Sequence, residues 1–136
     1  MQITETLINY LKDSHLQLNS NVLLTDLNKI ILADTFSFNE IYLDQPLNNE
    51  LLDLIQDWKD KGYSNQLSLI LNHNLKKFTI NDTTNYSAQM IFPIFHNDIL
   101  EGLLLFFRTT GNYIKSSSKA PRTIKFFIEN MLEKNY

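Results

Sequence analysis

Residues 86–108 read YSAQMIFPIFHNDILEGLLLFFR, and this stretch decides the fold. Two apolar runs, 86–95 and 100–108, flank Asn97-Asp98, a pair suited to a tight turn, so the segment predicts a β-hairpin. Within it, residues 91–95 and 103–107 are apolar at nearly every position instead of at alternate ones. A strand that faces water on one side alternates, so an unbroken run predicts strands buried on both faces. Such a sheet needs a cover on each side, and helices, including a terminal pair, are the candidates. The longest apolar run, 99–107, is broken by Glu101 and Gly102 and falls well short of the roughly 20 residues needed to cross a bilayer.

Working outward, residues 22–25 and 30–33 are β-prone and surround Asp26-Leu27-Asn28-Lys29, which predicts a second hairpin. Residues 67–71 and 77–80 predict two weaker strands. Residues 34–46 are irregular and carry Phe36, Phe38 and Tyr42, which predicts a long loop holding apolar surface. Helical spacing appears three times. Ile3, Leu7, Leu11 and Leu18, flanked by Ile8 and Tyr10, predict a first helix. Asn48 can cap a second helix running to about Lys61, with Glu50 near its positive end, Leu51, Leu52, Ile55 and Trp58 as its buried stripe, and Gly62 as its stop. Ile124, Phe127, Ile128, Met131 and Leu132 predict a closing helix, with Pro121 in its first turn, where a missing N–H costs little. The expected architecture is α+β: one domain over residues 1–136, with an N-terminal helix in 1–19, a sheet core in 20–115 into which the helix 48–61 is inserted, and a C-terminal helix in 119–134. The sheet is expected to be twisted and antiparallel, with about five to six strands.

Composition narrows the chemistry. The 136 residues contain no cysteine, which excludes a disulfide framework, thiol catalysis and cofactors attached through sulfur. A net charge of -3 argues against the basic face of a nucleic-acid binder. The N-terminus has no basic segment followed by an apolar core, so it does not read as a secretory signal and a cytoplasmic location is expected. His15, His73 and His96 stand apart, in no spacing that would place two ligands on one helix face, so no metal site is expected. Asp53, Asp57 and Asp60 share a helix with Lys59 and Lys61 and read as a solvated face, not an acid–base pair. Gly62, Gly102 and Gly111 are isolated and form no phosphate loop, no Gly-x-Ser-x-Gly elbow exists, and Ser116 to Ser118 read as loop. No enzymatic activity and no cofactor are expected.

The hairpin 22–33, the loop with Phe36 and Phe38, the capped helix from Asn48, and above all Met90-Ile91-Phe92-Pro93-Ile94-Phe95 with Asp98 in the turn and Gly102-Leu103-Leu104-Leu105 after it resemble a GAF domain. The chain is most similar to the GAF-like C-terminal domain of the stage V sporulation protein T-type regulators, over nearly its whole length, including the helix before the first hairpin and the closing helix. It departs from them in that no swapped-hairpin DNA-binding segment precedes the first helix, and direct nucleic-acid binding is not expected. The resemblance implies a GAF/PAS-like sheet flanked by N- and C-terminal helices, and a non-catalytic sensory or regulatory module concerned with transcription or sporulation-type control. The lack of cysteine removes the family's methionine-sulfoxide and bilin functions in their usual forms, and the cyclic-nucleotide signature Asn-Lys-Phe-Asp-Glu is missing.

The resemblance further implies a pocket that Phe36, Tyr42, Trp58 and Tyr86 could border, with Asp34, Ser37 and Gln89 as the polar groups that orient a small molecule. It also implies a homodimer built from the terminal helices, for which Leu7, Ile8, Leu11, Ile124, Phe127, Ile128 and Met131 are the candidate interface residues. A second reading is a roadblock- or longin-like interaction scaffold without a ligand. A sensor of this kind should enclose a cavity between sheet and loop, whereas a scaffold should be filled by side chains.

Overall fold

A computed structural model describes residues 4–18, 21–35, 40–41, 45–60, 69–70, 77–80, 84–108 and 119–135. Its elements in chain order are α1 (Glu5–Leu18), β1 (Asn21–Thr25), β2 (Lys29–Thr35), β3 (Glu40–Ile41), β4 (Gln45–Pro46), α2 (Asn49–Asp60), β5 (Leu69–Ile70), β6 (Lys77–Ile80), β7 (Thr84–His96), β8 (Ile99–Arg108) and α3 (Ala120–Asn135). The protein is α+β, and every strand pairing in its one sheet is antiparallel.

The spatial order is β3-β2-β1-β8-β7-β5, with β4 also on β2 and β6 also on β7. The strands therefore occupy six positions: β3 and β4 share one edge of β2, and β5 and β6 share one edge of β7. Residues 34–46 differ from the expected uninterrupted loop. Ile41 pairs with Asp34 and Pro46 with Lys29, so parts of the segment lie against β2. Pro46, which cannot donate to a ladder, is tolerated there because β4 is an edge strand.

Each turn and cap has a local cause. The Asp26 carboxylate accepts N–H bonds from Asn28 at 2.7 Å and Lys29 at 2.8 Å, which closes the β1–β2 turn. Asn97 and Asp98 adopt φ of 51° and 62°, the left-handed pair that lets a two-residue turn follow the twist of β7 and β8. Thr4 caps α1 by accepting from the Leu7 N–H at 3.1 Å, and Asn48 caps α2 by accepting from the Leu51 N–H at 2.9 Å.

The unbroken apolar runs are explained by a sheet buried on both sides. Leu104 and Phe106 of β8 join Val22, Leu24, Met90, Phe92 and Ile94 on a face covered by α1 and α3 through Leu7, Leu11, Ile124, Ile128 and Leu132. Leu103, Leu105 and Phe107 join Leu23, Ile30 and Ile91 on the opposite face, covered by α2 through Leu51, Leu54, Ile55 and Trp58. Alternate residues of β8 thus serve different cores.

Candidate functional site

The α1–α3 layer is the most built of the surfaces the fold offers. The two helices lie side by side on one sheet face, and the Tyr10 and Phe127 rings stack between them at 3.8 Å with their planes 19° apart. The inward stripe of each helix is spent on the domain's own core: Leu7, Leu11, Ile124 and Ile128 are at most 5% exposed. Of the candidate interface residues these four therefore face the sheet, because the stripe spaced to meet a partner is the same stripe that must cover β7 and β8. Ile8 and Met131 are partly buried against the same core, and Phe127 is half-buried in its stack. The outward positions are Glu5, Thr6, Asn9 and Asp13 on α1, Arg122, Thr123, Phe126 and Asn130 on α3, and Lys119 just before α3. Phe126 is 47% exposed; Leu52 on α2, which the sequence placed on that helix's buried stripe, is 43% exposed, and Ile99 at the start of β8 is 66% exposed.

One buried ion pair escaped the sequence reading. Lys125 is 3% exposed, and its ammonium donates to the Pro93 carbonyl at 2.7 Å and to Glu129 Oε2 at 2.7 Å. The same carboxylate oxygen accepts the Phe95 N–H at 2.7 Å. These contacts fall on β7 just beyond its Leu69–Ile91 pairing with β5, so two side chains of α3 bond the strand's backbone as a neighbouring strand would. The ammonium also lies 5.6 Å from the Phe95 and Phe126 ring centroids, within cation–π range of both. The signal available in the sequence was Lys125 and Glu129 at a four-residue interval, which ordinarily marks an exposed helix pair.

The ligand candidates divide. Trp58 is 5% exposed and packs in the α2 core. The backbone of Asp34 pairs with Val22, a member of the core on the other face. Tyr86 pairs with Phe78, and Gln89 is the extra residue where the β7–β8 register shifts between Ala88 and Met90. The side chains of Asp34, Tyr86 and Gln89, together with Phe36, Ser37 and Tyr42, lie outside the described residues.

Asp53, Asp57 and Asp60 all face solvent on α2, and Asp60 accepts from Gln56 at 2.7 Å. Among the described residues no group of three or more His, Asp or Glu is placed to hold a metal ion. Among them also, no helix is long and apolar enough to cross a membrane. No protein-family model matches the chain, and no curated protein matches it.

Proposed function

We propose that this domain is a non-catalytic regulatory module of the cytoplasm, of the GAF-like kind, that dimerises through its terminal helices and responds to a small molecule or a partner protein in transcription or sporulation-type control. The observation that carries the reading is the α1–α3 layer, which covers the sheet with its inward stripe and still presents Phe126 at 47% exposure on its outer side. Apolar surface beyond what the core consumes is typical of interaction sites. Sedimentation velocity across the micromolar range tests the dimer, and a protein that stays monomeric throughout refutes it. Thermal shift against a metabolite panel tests the sensing role.

The scaffold reading is favoured by a different observation. The residues filling both sheet faces are at most 8% exposed, as in a domain packed solid with its own side chains. The two readings separate on the metabolite panel: a sensor gives a saturable rise in melting temperature with one compound class, and a scaffold gives none while still dimerising.

A further inference from the structure

The edge of β7 that faces away from β8 changes partner along its length. Residues 84–87 pair with β6 and residues 90–91 with β5, and the described part of β5 reaches no further than Leu69, opposite Ile91. Beyond that point the partner is α3. An N–H makes one good bond, so the Phe95 N–H that donates to Glu129 at 2.7 Å is not engaged with β8. Bonding groups along a strand alternate between its two edges, so residues 91, 93 and 95 turn the same way, toward β5 and then α3. The register shift beside Phe95 adds Glu101 on β8 and leaves this alternation on β7 intact. The Pro93 carbonyl accordingly accepts from Lys125 at 2.7 Å.

These two groups form a self-complementary set. Facing residues in an antiparallel pair exchange N–H and C=O. A second copy of β7 related by a two-fold axis at Ile94 would set its residue 93 opposite residue 95 of the first, and its residue 95 opposite 93. Each Phe95 N–H would then donate to the Pro93 carbonyl of the other copy. Proline has no N–H, so these two bonds are the ones such a pairing could make there. Lys125 gives the carbonyl a donor and Glu129 gives the N–H an acceptor, and both side chains are held in place. The buried ammonium bonds the same carboxylate oxygen and lies 5.6 Å from the Phe95 and Phe126 ring centroids. Charged side chains along an edge strand are a common protection against strand addition.

We propose that Lys125 and Glu129 close this end of β7 against strand addition, and that the strand they exclude is the same stretch, residues 93–95, of a second copy of this chain. The device is completed last, because α3 is the final helix of the chain. Until it docks, neither group has its α3 partner, and Phe92 and Ile94 beside them lack part of their cover. The terminal-helix dimer uses a different surface, and this inference does not depend on it.

The test compares two full-length double variants, Lys125→Met with Glu129→Met, and Lys125→Gln with Glu129→Gln. Replacing both charges together avoids leaving one of them buried alone. The methionine pair offers no strong hydrogen bond, whereas the glutamine pair keeps a donor for Pro93 and an acceptor for Phe95. Sedimentation velocity and amide exchange at Phe95, followed by NMR, are read from about 5 to 500 µM protein. At the low end Phe95 should exchange at least about tenfold faster in the methionine variant than in the wild type. At the high end that variant should form a species larger than any the wild type forms, with Phe95 protected again. The glutamine variant should match the wild type in both respects. A methionine variant that keeps the wild-type assembly state overturns the proposal, and so does one that associates with Phe95 still unprotected. A glutamine variant that associates as strongly as the methionine one overturns it too, since lost charge would then be the cause. The wild type supplies a reading that needs no variant to fold: its Phe95 amide should exchange at least about tenfold more slowly than a solvent-exposed amide of the same intrinsic rate, and equal rates overturn the proposal.

Discussion

At the scale of the residue, two positions show why chemistry decides where spacing cannot. Gly102 is buried in β8 where the backbone of β1 comes close: a Cβ built there would stand 1.9 Å from the Thr25 carbonyl oxygen. No side-chain rearrangement relieves a clash with backbone, so Gly102→Ala should lower stability by about 2–4 kcal/mol in urea unfolding, whereas the same change at an exposed strand site costs little. The Lys125–Glu129 pair gives a sharper contrast. Lys125→Met leaves a carboxylate and the Pro93 carbonyl without their ammonium and should cost about 3 kcal/mol. Glu129→Gln retains an oxygen for the Phe95 N–H but leaves the deeply buried Lys125 ammonium without its carboxylate, so it should also cost about 3 kcal/mol in urea unfolding. A loss in either variant no larger than about 0.5 kcal/mol, as for an exposed helix pair, would mean that the pair is not desolvated. The glycine is visible in the sequence as an isolated interruption of an apolar run, but the lysine is not. Its four-residue spacing to Glu129 is the commonest surface pattern there is, and only the tertiary position of Pro93 and Phe95 turns it inward.

Among the elements, those whose ends are written in local chemistry are the ones that sequence reading places well. Asn48 names the start of α2, and Asn48→Ala should cost about 1 kcal/mol by removing the bond to the Leu51 N–H, read as a shift in the urea midpoint with unchanged slope. Asp98 is the second left-handed residue of the β7–β8 turn. A β-branched side chain is strained at that φ, so Asp98→Val should destabilise by about 1–2 kcal/mol while Asp98→Gly is neutral or better. The elements that sequence reading misses are β3 and β4. Each has two residues, too few to show a period of two, and each exists because β2 presents an open edge. The loop reading of residues 34–46 missed the pairings at 40–41 and 45–46 for that reason.

For the whole molecule, the sequence predicts a double-sided sheet but not which helix covers which face. The stripes of α1, α2 and α3 are equally apolar to a spacing rule. Their division into a two-helix layer and a one-helix layer follows from chain connectivity and handedness, which periodicity does not carry. The candidate site was legible only in part for the same reason. Trp58 was correctly placed on a helical stripe, yet the face that stripe covers is not the one to which Val22, the partner of Asp34, belongs. The interface candidates fall on α1 and α3, and the stripe with the strongest spacing is the one the core consumes. A molecular consequence is measurable without knowing any ligand. If two copies associate when folded, mass action couples folding to concentration, and the melting temperature should rise steadily between about 5 and 500 µM protein. A melting temperature independent of concentration would count against the dimer.

The pairing of β1 with β8 sets the order in which the chain can be made. Thr25 and Leu103 sit in adjacent strands although 78 residues separate them. On the ribosome the β1–β2 hairpin must therefore wait for most of the chain to be synthesised, with Val22, Leu23, Leu24 and Ile31 unsheltered in the meantime. The α1–α3 core closes later still, when the last helix emerges. Contacts of such long range fold slowly and leave sticky strands exposed, so this domain should refold in milliseconds to seconds rather than microseconds and should draw on chaperones during synthesis.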